Sequence, residues 1–324
     1  MQKMHDLYCY ATIETQREMM NIETKWLQDF LTLAERRNFS QAAVERNVTQ
    51  PAFSRRIRAL EGAMGTELID RSKSPIELTP AGKQFRITAR SIMSQVDEEI
   101  SRLAGLSLLG GQAVQIAAAH SVATNLLPDI QIKVAEKTPE VTLNVEAVDV
   151  DDAIEALQQG ECDILLAFHN QKLLSRPYQS HLLDQSHLHL VSATAQGTDD
   201  PLFNPASDVD VPLLAYSPGS FMGREVQKKT QGLKLKPVFS SSMSDLIKAL
   251  VLKKQGVAWL PHYAIKQELA NHSLTILSPE IFSIPIALYA YRYDTRLHPA
   301  GEKVWELLVS EKHLSTGHTA SLPS

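Results

Sequence analysis

The chain has 324 residues, 44% of them hydrophobic, and a formal net charge of −5; this length allows two or three domains of roughly 100–200 residues each. No apolar run approaches the roughly 18 residues of a membrane span. The N-terminus also lacks the apolar core and small-residue cleavage site of a signal peptide, so a cytoplasmic protein that does not engage the membrane is expected. The two cysteines, Cys9 and Cys162, do not make a disulfide framework; Cys162 reads as a core thiol.

The acidity is uneven. Between Gln50 and Arg90, Arg55, Arg56, Arg58, Arg71, Lys73, Lys83, Arg86 and Arg90 stand against Glu61, Glu67, Asp70 and Glu77. A basic segment on an acidic chain is the footprint of nucleic acid or another anionic partner. Charge alone would favour the plainer reading, a solvated helix face.

Residues 1–21 read as a disordered tail, with Met20 available as a second start. Trp26, Leu27, Phe30, Leu31, Leu33 and Ala34 recur at helical spacing and predict a first helix over about 23–37. Ser40 stands where an N-cap belongs, before the short helix "QAAVER". After the turn "NVT", Thr49 is placed to cap a third helix with Pro51 in its first turn. On that helix Phe53, Ile57, Leu60 and Met64 form one apolar stripe, and Pro51, Ser54, Arg55 and Arg58 fall on the opposite side. This is a helix-turn-helix, whose second helix enters the major groove N-terminus first. Guanidinium groups suit that task because they fork onto guanine edges or phosphates. Arg56 lies beside the stripe and is expected to matter less. Arg36 and Arg37 are expected to serve the end of the first helix or a phosphate. "ELI" and "IEL" then flank a polar turn carrying Arg71, Lys73 and Pro75, a hairpin wing with its basic tip near the phosphate backbone.

One long helix is predicted from Thr79 to about Leu106. Phe85, Ala89, Ile92, Val96, Ile100 and Leu103 are spaced close to a coiled-coil seam, so this helix is expected to dimerise; the alternative is a helix packed on its own domain. "LSLLGG" ends it. From Gln112, strands ("AVQIAAAH", "VTLNVEAV", "CDILLAF") alternate with helices ("SVATNLLPDIQIKVAEK", "VDDAIEALQQG"), the pattern of a parallel sheet in an α/β domain. "HLHLVSA", "VPLLAYS", "PVFSSS" and "GVAWLP" supply a second set of strands. "SIPIALYAYR" and a helix near "GEKVWELLVSEKHL" come last.

Residues 22–85 resemble the winged helix-turn-helix of LysR-type transcriptional regulators. The resemblance is carried by "FLTLAERRNFSQAAVERNVTQPAFSRRIRALE", "GTELIDRS" and "LTPAGK", at the spacing of Ser40, Ala42, Ala43, Gln50, Pro51, Ser54, Ile57, Leu60, Glu61, Gly65, Leu68, Arg71, Thr79 and Gly82. Ile69 replaces the usual aromatic of the "ELIDR" segment, which should alter packing beneath the wing. The DNA-contacting set is therefore Ser40, Gln50, Pro51, Ser54, Arg55, Arg58, Arg71 and Lys73. The resemblance further implies a linker and dimerisation helix and a periplasmic-binding-protein-like domain of two α/β lobes, with homodimers that pair into tetramers. The expected division is a DNA-binding domain over 22–78, a linker helix over 79–108 and a sensor domain over 112–324. Within the sensor, lobe one takes about 112–172 and 281–313, lobe two about 173–280, and 314–324 is a tail.

No catalytic constellation, cofactor motif or metal site emerges, and an enzyme is not expected. His187 and His189 share a strand face, with His181 nearby, but no third metal ligand is implied. Asp149, Asp151 and Asp152 start a helix, where acids suit the macrodipole. Ligands of open α/β sheets sit beyond the carboxyl ends of strands. That places a candidate effector site at His120 and Ser121, Phe168 and His169, the loop from Ser217 to Gly223, and Ser242 with its neighbours, all expected to converge on one cleft; for Ser121 a plain capping role is the alternative. Several stretches, among them "QPAFSRRIRALE", "IAAAHS", "SFMGR", "SSMS" and "GVAWLPHYAI", resemble the hypochlorite-responsive subgroup of the family. That resemblance implies activation by methionine oxidation, with Met222, expected in a Gly-flanked loop, and Met243, expected at a helix start, as the candidates. A small metabolite held by Ser121 and Ser242 is the alternative signal. A solute-binding transport protein would explain the lobes alone, but not residues 22–85.

Overall fold

The computed structural model describes residues 22–103, 112–195, 200–205, 210–230 and 234–310. The expected tails, with Cys9 and Met20, and the "LSLLGG" segment lie outside the described residues. The chain divides into two compact units, the first spanning the described residues up to 103 together with the short segments 158–161 and 295–298, and the second taking the other described residues from 112 onward.

In the first unit, α1 (Thr24–Arg36) buries Leu27, Phe30 and Leu33, one stripe of an amphipathic helix. It stops at Arg37, whose φ of 50° is left-handed. Helix α2 (Phe39–Glu45) is capped by Asn38 and not by Ser40: the Asn38 side chain accepts the N–H groups of Ser40 and Gln41 at 2.9 and 3.1 Å. The helix starts two residues earlier than its polar pattern indicates, because Phe39 packs edge-on against Phe53. Helix α3 (Gln50–Met64) has Thr49 at its N-cap, though the threonine side chain makes no capping bond, and ends at left-handed Gly65. Strands β1 (Ile69–Asp70) and β2 (Glu77–Leu78) pair antiparallel as the wing.

Helix α4 (Pro80–Leu103) follows. Thr79 Oγ1 accepts the Gly82 N–H at 3.0 Å and donates to the Glu67 carbonyl at 2.7 Å. A Cβ at Gly82 would stand 2.0 Å from the Leu68 carbonyl oxygen, so only glycine lets this helix start against the wing. Phe30, Leu33, Ala42, Ala43, Phe53, Ile57, Leu60, Leu68, Ile69, Phe85 and Ala89 form one buried core.

The second unit contains a seven-stranded sheet. Its order is β10 (Leu274–Ile276), β6 (Tyr178–Ala193), β11 (Ile284–Tyr293), β5 (Ile164–Phe168), β3 (Gln112–Ala119) and β4 (Val141–Val148), with β9 (Ala258–Pro261) also on β6. Strands β3, β4 and β5 are parallel, as alternation with helices predicts. The strands that cross between lobes are antiparallel to their neighbours, so the sheet is mixed. Strand β6 is long enough to serve both lobes. Its first half pairs with the end of β11, the register shifts between Leu288 and Tyr289, and its second half pairs with β9 and β10. Strands β7 (Val211–Tyr216) and β8 (Leu235–Ser241) form a parallel pair in lobe two.

Helices α5 (His120–Asn125), α6 (Leu127–Lys137), α7 (Val150–Gln158) and α12 (Pro299–Ser310) belong with lobe one. Helices α8 (Phe221–Gln227), α9 (Ser244–Leu252), α10 (His262–Ala270) and the short α11 (Pro279–Phe282) belong with lobe two. The single helix expected after His120 is two: the chain breaks at Leu126, ahead of Pro128, where proline disfavours a continuing helix before it. Among the described residues, no helix is long and apolar enough to cross a membrane.

Candidate DNA interface and effector site

Helix α3 divides as its sequence predicts except at its last residue, Met64, which is 36% exposed where the stripe would have it buried. Phe53, Ile57 and Leu60 are fully buried, whereas Gln50, Pro51, Arg55 and Arg58 are exposed and Ser54 is half-buried. Three arginines near this face are engaged inside the domain. The fully buried carboxylate of Asp29 on α1 accepts Arg46 Nε at 2.7 Å and Arg56 Nη1 at 3.1 Å. A buried carboxylate without such partners would be strongly destabilising, so Arg46 and Arg56 lock α2 and α3 onto α1.

Arg71 corrects the sequence reading. Its guanidinium grips Glu61 of α3 through both terminal nitrogens, at 3.2 and 2.6 Å, and lies over the Phe39 ring. Glu61 Oε1 also accepts the N–H groups of Leu68 and Ile69 at 3.0 and 3.1 Å. Arg71 thus ties wing, α2 and α3 together, and its fork is occupied. Arg36 pairs with Glu45, and Arg37 donates to the Ile76 carbonyl at 3.3 Å. Arg55, Arg58 and Lys73 are exposed, and none has an ion pair or side-chain hydrogen bond to the described residues. Ser40 and Lys73 line a groove of about 510 Å³ between the start of α2 and the wing tip, with Arg37 beside them.

The seam of α4 is also divided. Phe85 and Ala89 lie in the core of the DNA-binding unit, Phe85 packing 5.3 Å from the Phe30 ring. They are removed from the dimerisation set: the first turns of α4 use their apolar stripe locally. Further along, Ile92, Ile100 and Leu103 are 38%, 60% and 75% exposed, and Val96 is half-buried.

In the sensor unit, two of the four expected places share a cavity, His169 and Phe221 of the Ser217–Gly223 loop. Ser121 is buried on α5 and shares a 2.9 Å hydrogen bond with the Tyr263 hydroxyl of α10, across the lobes. It does not cap its helix. Asn125 of α5 donates to Asp245 of α9 at 3.4 Å. Beneath, Tyr216 shares a 2.8 Å hydrogen bond with Ser244. Burial pushes the Tyr216 and Tyr263 hydroxyls far above their ordinary pKa, so both act as hydrogen-bonding groups and not as acids.

A second cross-lobe contact joins Phe168, at the end of β5, to Phe221 of α8; the rings are parallel with centroids 4.8 Å apart. Beside it, Arg224 of α8 grips Asp151 of α7 at 2.8 and 2.9 Å. His169 lines a cavity of about 540 Å³ with Gln185, His187, Phe221, Lys228 and Ile286. His120 is half-buried at the first position of α5, and Ser242 is half-buried in the bend before α9. Ser217 donates its N–H to the Ser241 carbonyl at the end of β8 at 3.0 Å and accepts the N–H of Ser220 at 2.9 Å, and the Ser220 hydroxyl caps α8.

That cap corrects the placement of Met222. The loop expected over Ser217–Gly223 turns into α8 at Phe221, and Met222 is buried, 5% exposed. A Cβ on Gly223 would meet the Ser217 carbonyl at 2.1 Å, so the glycine permits a tight helix entry. Met243 holds the N-cap position of α9 and is 46% exposed. Tyr263, Tyr216, Asp245 and Arg224 were not read as site residues from the sequence. The one available signal was "PHYAI", a polar-aromatic pair directly after a buried strand.

His187, His189 and His262 sit side by side, the first two on β6 and the third at the start of α10. Burial, then His262 and His187, lower His189 from 6.5 to about 4. No group of three or more His, Cys, Asp or Glu among the described residues is placed to hold a metal ion.

The family model of the bacterial regulatory helix-turn-helix protein, lysR family, matches residues 24–83, and that of the LysR substrate binding domain matches residues 110–312. The HTH-type transcriptional regulator YjiE of Escherichia coli (strain K12) is 44% identical over 291 residues, 89% of this chain and 94% of that protein. The crystal structure of Vibrio fischeri DarR in complex with DNA is similar at 52% identity and a TM-score of 0.59, over 90% of this chain and 100% of that one. Full-length HypT of Salmonella typhimurium, described as a hypochlorite-specific LysR-type transcriptional regulator, is similar at 41% identity and a TM-score of 0.57, over 89% of this chain and 97% of that one.

Proposed function

The chain belongs to the LysR family of DNA-binding transcriptional regulators, and from that premise we propose that a small-molecule effector taken up between the lobes resets how its dimers sit on promoter DNA. The single observation that carries this reading is the Ser121–Tyr263 hydrogen bond. It is a buried polar contact from α5 of lobe one to α10 of lobe two, and a ligand carrying its own polar groups competes with it directly. A conformational change needs differential contacts in two states, and a ligand that takes over this bond would supply the difference. The proposed division assigns residues 22–78 to DNA binding, 79–108 to the linker helix and the remainder to sensing. Gln50, Ser54, Arg55 and Arg58 reach into the major groove, while Ser40 and Lys73 meet phosphates. The exposed end of α4 dimerises. The similarity to DarR, solved on DNA, supports the DNA partner. Footprinting of the DNA upstream of this protein's own gene, with and without a panel of metabolites, tests the reading. The expected result is a footprint that changes length with one compound in the wild type and does not change in Ser121→Ala. A footprint indifferent to every compound sinks it.

A second reading is favoured by Met243. It is exposed beside the buried Ser244–Tyr216 pair, and the similar HypT is described as hypochlorite-specific. Hypochlorous acid would transfer its oxygen to the thioether and leave as chloride and a proton, giving a polar sulfoxide at the mouth of α9. Mass spectrometry after mild hypochlorite separates the two readings. Oxidant sensing requires Met243 to be oxidised ahead of Met222 and Met243→Leu to abolish the oxidant's effect on DNA binding.

A further inference from the structure

The lobe-two half of β6 places His187 and His189 on one face of the strand, and His262 opens α10 against them. The rings form a row, with centroids 5.8 Å apart between His187 and His189 and 5.4 Å between His189 and His262. His189 Nδ1 lies 2.7 Å from Ser283 Oγ, just ahead of β11. Nδ1 of His262 is buried and has no hydrogen-bond partner. The charged and titratable groups around the row are His187 and Asp184 from β6, Lys266 from α10 and, across the cavity that His187 lines, His169 beyond β5 and the paired Glu225 and Lys228 of α8; Ser283, just ahead of β11, supplies a hydroxyl. Asp184 already accepts the Gln185 N–H at 2.9 Å. Glu225 is already engaged by Lys228, which leaves Asp184 as the acid set against the imidazoles and Lys266. The arrangement holds neutral rings well and charged rings badly.

The row matters because of its neighbour in sequence. His262 is followed by Tyr263, whose hydroxyl reaches Ser121 on the other lobe. We propose that this imidazole row is a proton-operated release: protons entering it push α10 away from the crossing strand and break the Tyr263–Ser121 contact, loosening one lobe from the other. The direction follows from linkage. In the closed state burial and neighbouring rings hold His189 down at about 4, and burial, then Lys266 and His187, lower His262. Opening returns each ring towards its ordinary value of 6.5. Between those values the open state binds more protons, so the closed state is fully favoured above the ordinary value and loses ground as pH falls. For His189 alone the loss reaches about tenfold in the closed-to-open ratio near pH 5.5.

Hydrogen exchange of the full-length protein, corrected for the intrinsic rate, tests this at about pH 7.5 and 5.5. Peptides covering α10 and α5 should both lose about tenfold protection at the lower pH, while peptides covering α1 and α3 do not. His189→Gln and His262→Gln should flatten the dependence, with circular dichroism checking that each variant folds. Tyr263→Phe should leave α10 sensitive to pH but make α5 insensitive, because the link between them is gone. Protection of α10 that does not change with pH, or a wild-type pH dependence in both histidine variants, overturns the proposal. So does an unchanged response of α5 in Tyr263→Phe.

Discussion

At the scale of single residues, the arginines of the DNA-binding unit separate into two kinds, and mutation should separate them too. Arg55 is exposed on the face of α3 opposite its core stripe. Arg55→Ala should leave the unfolding midpoint unchanged and weaken specific DNA binding by about 1–3 kcal/mol, with less loss on non-specific DNA. Lys73→Ala should weaken all sequences alike and reduce the salt slope by roughly one. Arg71→Ala should instead lower stability by about 1–3 kcal/mol, because the buried Glu61 loses its two-pronged partner; chemical denaturation reads this directly. Equal, sequence-blind losses for Arg55→Ala and Lys73→Ala would remove base reading from Arg55. The exposed face was legible in the sequence because helical spacing alone fixes which residues oppose Phe53, Ile57 and Leu60. The occupation of Arg71 was not. Its acceptor, Glu61, lies ten positions away on another element, and Asp29 meets Arg56 from 27 positions away. Pairing between elements is a property of packing, and no local pattern encodes it.

At the scale of elements, α4 shows how one apolar stripe serves two partners. Its early positions, Phe85, Ala89 and Met93, complete the core of its own unit, and its later ones stay uncovered. Leaving Ile100 and Leu103 in water forgoes about 1.5–3 kcal/mol for each side chain that a partner would bury. The double substitution Val96→Glu/Leu103→Glu should therefore give a folded protein that sediments as a monomer and binds DNA weakly. Phe85→Glu should unfold the DNA-binding unit, because it puts a charge beside Phe30. Light scattering and circular dichroism on both proteins distinguish the roles, and an unchanged oligomer in the first would remove this end of α4 from the interface. A seven-residue spacing pattern cannot reveal where along a helix the partner changes; the sequence marked one seam, and the split depends on where the α1–α3 bundle ends. The missed α8 has a related cause. Its seven residues are too few to show a period, and glycine at its third position signals a loop unless the approach to the Ser217 carbonyl is known.

At the scale of the whole sensor unit, the cross-lobe contacts differ in strength for physical reasons, and that difference is testable. The Arg224–Asp151 pair is bidentate, but its side chains are 44% and 58% exposed, so solvent screens it and it contributes about 0–1 kcal/mol. The neighbouring Phe168–Phe221 stack adds about 0.5–1.5 kcal/mol. The Ser121–Tyr263 bond is buried on both sides. Cutting one partner leaves the other hydroxyl without a mate, at about 1–3 kcal/mol, whereas removing both hydroxyls leaves nothing unsatisfied. A double-mutant cycle over Ser121→Ala and Tyr263→Phe should therefore show strong coupling, with the double variant more stable than the sum of the single losses. The same cycle over Asp151→Ala and Arg224→Ala should show coupling under about 1 kcal/mol that fades with added salt. Since about 1.4 kcal/mol is tenfold in an equilibrium, the buried pair alone is large enough to set the ratio of two lobe arrangements. The lobes themselves were legible from the alternation of strands and helices. This bond was not, because it joins residues 142 positions apart that meet only once β6 has carried the chain into the other lobe. Denaturant unfolding of the six variants and the wild type at two salt concentrations decides the matter. A Ser121–Tyr263 cycle with no coupling would mean that the hydroxyls do not restrain the lobes, and the effector's point of action would then have to be sought on the Phe221–Arg224 side.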